Sequence, residues 1–147
     1  MKSYFAYGSN LWREQMRHRC PDHQPRGIGV LKGYHWIVSR RGYANIVESE
    51  EDEVYGMIYE ISESDEDSLD RYEGVHNGSY LKKMMMVESG GCDWECLVYV
   101  DPVEQEGEPK EEYIEKINKG ISDARLPAQY VERYVRRFIP GGHTDGE

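Results

Sequence analysis

Long apolar runs are missing from this chain: no stretch approaches the ~20 apolar residues needed to span a bilayer. No basic start followed by an apolar run and a small-residue cleavage site marks a secretory leader either. The expectation is a cytoplasmic protein with no membrane partner. Cysteine is scarce as well. Cys20, Cys92 and Cys96 cannot all pair within one chain and show no zinc-site spacing. On one strand, residues four apart lie ~13 Å from each other, so Cys92 and Cys96 are expected as reduced thiols, like Cys20, with no nucleophilic role. Positive charge is short: 18 Lys and Arg face 28 Asp and Glu, for a formal net charge of −10. Nucleic acid is thereby disfavoured as a partner, because phosphate binding relies on clustered Lys and Arg. Internal repeats and low-complexity segments are absent too, which excludes solenoids and linkers.

What is present suits one domain over residues 1–147, a length that buries roughly 70% of the surface of the unfolded chain. Pro140-Gly141-Gly142 ends its last helix, and the tail from 140, with His143, is expected to be mobile and solvated. A homodimer is left open.

Periodicity predicts a strand over 2–7 and a helix over 10–19, broken by Pro21. Strands follow over 27–40, with a bend or bulge at Gly33, and over 44–48; an acidic turn at 50–53 precedes another strand at 54–61. A short helix over 65–71 has Ser62 or Ser64 as its N-cap, Leu69 as its buried anchor and Gly74 as its end. Strands at 79–88 and 93–100 flank Ser89-Gly90-Gly91, a hairpin signal. Met84-Met85-Met86 reads as adaptable packing, since successive strand residues face opposite ways. Two amphipathic helices, over 110–121 and 128–139, complete the chain.

Two segments carry chemistry. In Tyr7-Gly8-Ser9-Asn10-Leu11, directly after the first strand, Gly8 lets the backbone turn tightly and approach a ligand, while Ser9 and Asn10 favour turns and caps. Free amides at such a turn bind anions; the same tripeptide also serves simply to turn a chain and cap a helix. In Leu69-Asp70-Arg71-Tyr72-Glu73-Gly74, Glu73 stands where a helix gives way to a loop between Tyr72 and Val75. Partial desolvation there raises a carboxyl pKa, which suits acid–base work near neutrality; an ordinary solvated helix-end glutamate is the plainer alternative.

These segments, with Gly42-Tyr43-Ala44-Asn45-Ile46-Val47, Val54-Tyr55-Gly56-Met57-Ile58-Tyr59 and Tyr80, come in the order and spacing of the gamma-glutamylcyclotransferase-like family. The chain resembles that family over about residues 1 to 100, and the last third adds nothing to the likeness. The resemblance implies a mixed α/β (α+β) fold, a mostly antiparallel, barrel-like β-sheet flanked by helices. It also implies an acyltransferase- or lyase-type intramolecular aminolysis. In that reaction the α-amino group of a small-molecule gamma-glutamyl substrate attacks its own γ-carbonyl, giving 5-oxoproline and a free amine. Glu73 then maps onto the catalytic acid–base residue and Tyr7, Gly8, Ser9 and Asn10 onto the substrate loop; Tyr7 and Tyr80, which flank the two segments, are candidate pocket walls, with core packing on strands as the alternative. The mechanism requires no metal and no organic cofactor. A dianionic substrate needs local positive charge in so acidic a chain, for which Arg40, Arg41, Lys82 and Lys83 are the candidates. The alternative is a small-molecule binding module of the same fold without catalysis.

Overall fold

The computed structural model describes residues 1–141, so His143 and most of the expected tail lie outside the described residues. Five strands close into a barrel in the order β1-β3-β2-β4-β5. They are β1 (Lys2–Ala6), β2 (Gln24–Val38), β3 (Ala44–Ile61), β4 (Leu81–Ser89) and β5 (Cys92–Val100). All neighbours run antiparallel except β1 and β5, which meet in parallel at Tyr4 and Leu97. The expected barrel-like, mostly antiparallel sheet is therefore present and closed. Closure explains why strand ends that look two-sided in sequence are buried: Tyr4, Phe5, Val54, Ile58, Tyr59, Ile61, Leu97 and Val98 are all within 4% of complete burial. One set of alternating side chains fills the barrel while the other is covered by helices.

Three elements differ from their sequence expectations. The acidic segment 50–53 does not separate two strands. Lys32 pairs with Glu53 and Tyr34 with Glu48, so 49–52 bulge outward opposite Gly33 within one continuous β3. The bulge is held by Asp52, which accepts hydrogen bonds from Ser49 and from the Tyr134 hydroxyl. The first helix is split. A 3₁₀ turn (Ser9–Leu11) and α1 (Arg13–Arg19) are separated by extended Trp12. The start of α1 is instead tied down by the Asp123 carboxylate, which accepts from the Arg13 amide at 2.9 Å. The final helix begins as α4 (Ala128–Tyr130) and widens into a π turn (Val131–Val135), where the Arg136 amide reaches back to the Val131 carbonyl.

The other helices follow their caps. In α2 (Glu63–Glu73), Ser62 and Asp65 form a capping box, Leu69 is fully buried, and Gly74 ends the helix at φ 69°. Helix α3 (Glu111–Ala124) buries Tyr113, Ile117, Gly120 and Ala124. The three cysteines are free thiols; burial pushes Cys20 up to about 12 and Cys96 up to about 11, which silences both as nucleophiles.

Candidate active site

A cavity of about 250 Å³ opens between the end of β1, the C-terminus of α2 and the N-terminal half of α3. Tyr7, Gly8, Ser9, Asn10, Glu73 and Tyr80 all line it, so the fold brings the two sequence segments together across one cleft.

Each wall has a local cause. After β1 the chain turns into the 3₁₀ segment, whose first bonds run from the Leu11 amide to the Gly8 carbonyl and from the Trp12 amide to Ser9. A 3₁₀ turn leaves its leading amides without intrahelical acceptors; that of Ser9 is taken by the Tyr113 hydroxyl, while that of Asn10 has no acceptor among the described residues. Gly8 is needed for close approach: a Cβ there would lie 2.9 Å from the Tyr113 hydroxyl and 3.1 Å from Ala44 Cβ. Gly120 of α3 does the same from the other side, since its Cβ would meet Leu11 Cβ at 2.7 Å and the Trp12 nitrogen at 3.0 Å. The loop is thus clamped between β3 and α3.

The Gly42-Tyr43-Ala44-Asn45 segment holds this clamp together. The Ala44 amide donates to the Tyr113 hydroxyl at 3.2 Å, and its carbonyl accepts from Tyr80 at 2.9 Å. Asn45 donates to the carbonyls of Asp101 and Val103 and accepts from the Asp101 amide, which fixes the strand exit. Tyr7 donates to the Tyr99 carbonyl. The hydroxyls of Tyr7 and Tyr80 are therefore committed to backbone, and their rings serve as walls. Tyr43 closes another side, edge-on to Tyr113 with ring centroids 5.2 Å apart.

Glu73 is the last residue of α2, where the helix dipole disfavours a negative charge. Its side chain is only 18% exposed, and burial pushes its pKa up to about 7, against a lowering influence from Arg19. The Arg19 guanidinium stands 4.0 Å from Glu73 Oε2. It donates to Asn10 Oδ1 at 3.2 Å and lies 4.3 Å over the Tyr72 ring, which fixes its plane. Asn10 is held in turn: it accepts from Gln15 at 3.0 Å, and its own amide group donates to Tyr4 at 2.9 Å.

The cations expected to provide the local field are elsewhere. Arg41 donates to the Ser79 carbonyl at 2.8 Å and stands 3.4 Å from Asp101, while Lys82 is shared by Glu66 at 2.6 Å and Asp70 at 3.1 Å. Arg40 and Lys83 are exposed and do not line the cavity. Arg19 and Lys116 line it instead, together with Glu112 and Tyr113. Arg19 was visible in sequence only as one residue of a helix face. The contribution of α3 carried no sequence signal beyond its amphipathic period.

A closed barrel thus sets the loop from Tyr7 to Asn10 and the buried carboxyl group of Glu73 on facing walls of one cleft, with exposed Glu112 at its α3 wall. The chain belongs to the AIG2-like family, whose model matches residues 53–134, within the wider gamma-glutamylcyclotransferase-like group that the sequence motifs resemble. Human gamma-glutamylcyclotransferase is 28% identical over 152 aligned residues, covering 96% of this chain and 80% of that protein. The mouse protein of the same name is 30% identical over 141, covering 88% and 75%. Among solved structures, a gamma-glutamyl cyclotransferase superposes with a TM-score of 0.84 at 27% identity, covering 99% of this chain and 92% of that one. YkqA from Bacillus subtilis gives 0.81 at 30% identity, covering 96% of this chain and 56% of that one.

Proposed function

We propose that this protein cyclises a gamma-glutamyl amino acid or gamma-glutamyl amine to 5-oxoproline and releases the free amine, with Glu73 as the general acid and base. The observation that carries the reading is the setting of Glu73: a buried carboxyl group, pushed up to about 7 by that burial, across a cleft from the loop amide of Asn10. Relatives named for this reaction support it.

The substrate's α-ammonium has no lone pair until a proton leaves it. Glu73 takes that proton as the nitrogen attacks the γ-carbonyl carbon, and a C–N bond closes the five-membered ring. The oxyanion formed meets the Asn10 amide. Glu73 returns that proton to the departing nitrogen as collapse breaks its bond to carbon, and the second surplus proton, left on the ring nitrogen, passes through Glu73 to the released amine, so the lactam keeps one N–H and the amine leaves as its ammonium. The α-carboxylate shares its carbon with the α-amine, so an amine placed at Glu73 sets the carboxylate beside Arg19. That division assigns the oxyanion to the loop and the carboxylate to the guanidinium. General acid–base catalysis is worth about 10²–10⁴ in rate; holding the flexible substrate folded, with nitrogen about 3–3.5 Å from the carbonyl, supplies much of the rest. A binding module of the same fold would have little need for a carboxyl group there.

The test is mass-spectrometric detection of 5-oxoproline from gamma-glutamyl amino acids and amines with the wild type and Glu73→Gln. Product from the wild type alone supports the reading, and equal product from the folded variant sinks it.

A further inference from the structure

Beyond Glu73 the chain leaves α2 at Gly74, with φ 69°, and passes through a short 3₁₀ segment (Val75–Asn77) whose His76 and Asn77 are exposed. This turn closes on itself: the Asn77 and Ser79 amides both donate to the Gly74 carbonyl at 3.0 Å. Arg41 then joins it to the barrel. Its guanidinium donates to the Ser79 carbonyl at 2.8 Å, a charge-assisted bond, and stands 3.4 Å from the carboxylate of Asp101. Asp101 is 1% exposed and is itself fixed, accepting from the Ser39 hydroxyl at 3.2 Å and from the Val103 amide at 2.8 Å. Ser39 in turn accepts from the Arg41 amide at 3.2 Å. A line of bonded groups therefore runs from buried Asp101 through Arg41 to Ser79, and from Ser79 to the residue next to Glu73. Arg41 does not line the cavity. The ionisable groups that face Glu73 are Arg19 from α1, Tyr4 from β1, Tyr7 just after it, Tyr80 before β4 and Tyr113 from α3.

Resting on the role of Glu73 proposed above, we infer that Arg41 is a positioning residue for it: anchored on Asp101, it fixes Ser79 and the Gly74 turn, and so holds Glu73 at the cavity wall. It touches neither the substrate nor the carboxyl group. Two consequences distinguish such a brace from a substrate contact and from general stability. Misplacing a reacting group slows the reaction more than it weakens binding. A loosened turn also admits water to Glu73, whose raised pKa rests first on burial. Loss of the brace then lowers that pKa from about 7 toward 4.5, the opposite of removing Arg19.

The experiment compares kcat, KM and the pH–rate profile for gamma-glutamyl-alanine in the wild type, Arg41→Lys and the double variant Arg41→Met/Asp101→Asn, which leaves no unpaired charge buried. The double variant should lose about 10–100-fold in kcat with KM changed by less than about twofold. Its acid limb should move to lower pH, and Arg41→Lys should recover part of both effects. Asp101→Asn alone, which keeps the Ser39 and Val103 contacts, should show the same changes in smaller measure. A higher KM with kcat intact, or a lower kcat with the limb unmoved, overturns the inference. Two readings by NMR need no turnover: hydrogen exchange at the Ser79 amide and titration of an isotope-labelled Glu73 carboxyl group. Faster exchange and a lower midpoint in the variants, with no 5-oxoproline from the wild type, would fault the reaction and uphold the brace. Exchange and midpoint equal to the wild type would refute the brace even in an active enzyme.

Discussion

Replacing Glu73 by glutamine should cost the protein its turnover and make it more stable, and the second effect depends on pH in a way the first does not. The carboxyl group titrates near 4.5 in the unfolded chain and at about 7 in the folded one. Between those values the native state holds a proton that the unfolded chain has lost, so stability falls as pH rises through this window. The step from 4.5 to about 7, at about 1.36 kcal/mol per tenfold, amounts to about 3 kcal/mol once both forms are ionised. A glutamine amide does not ionise, so the Glu73→Gln variant escapes this penalty above neutrality. Its advantage over the wild type should grow by roughly 2–3 kcal/mol between about pH 5 and pH 8. At this chain length that corresponds to roughly 4–12 °C in melting temperature. Thermal unfolding followed by circular dichroism at both pH values, variant beside wild type, cancels every other titrating group the two share. An advantage of the same size at both pH values would show that Glu73 is not perturbed by burial, and the acid–base reading would fall with it.

Further outcomes follow from the same contacts. The base must be ionised to act, so kcat/KM should fall below about pH 7 with an apparent pKa near that of Glu73. Arg19→Leu removes the cation that lowers this value and should shift that acid limb to higher pH, read from the pH–rate profile; an unmoved limb would deny the coupling. Gly8→Ala places a methyl group 2.9 Å from the Tyr113 hydroxyl, so a loss of about 1–3 kcal/mol in urea unfolding and a sharp drop in kcat are expected. Gly56→Ala is worse: its Cβ would lie 2.2 Å from the Ala6 carbonyl oxygen and 2.9 Å from the Phe5 ring, prising β1 from β3. A cost above about 3 kcal/mol is expected, and a variant as stable as wild type would mean that this barrel seam is looser than it looks.

Much of this architecture was legible in the chain. Alternation marked the strands, Ser62 and Gly74 marked the ends of α2, and the Gly90-Gly91 pair marked the β4–β5 hairpin. Turn and cap chemistry alone left the loop after β1 and Glu73 as an ordinary turn and helix end; the family resemblance singled them out, and both line the same cleft. Such signals are short-range: they arise from a residue's own φ/ψ preferences and from neighbours within a turn or two.

The misreadings share a cause of the opposite kind. The first helix was split by an Asp123 carboxylate from α3, 110 residues away in sequence, and β3 ran on through its acidic bulge because both its ends pair with β2. Cationic character picked out Arg41 and Lys82, but folding committed them to Asp101, Glu66 and Asp70. Residue types, turns and the candidate carboxylate were thus determined by the sequence alone. Barrel closure, the pKa of Glu73, the choice of Arg19 and Lys116 as the cavity's cations, and the role of α3 were decided only by tertiary structure. Burial, dielectric and charge pairing depend on which distant segments meet, and no local pattern encodes that.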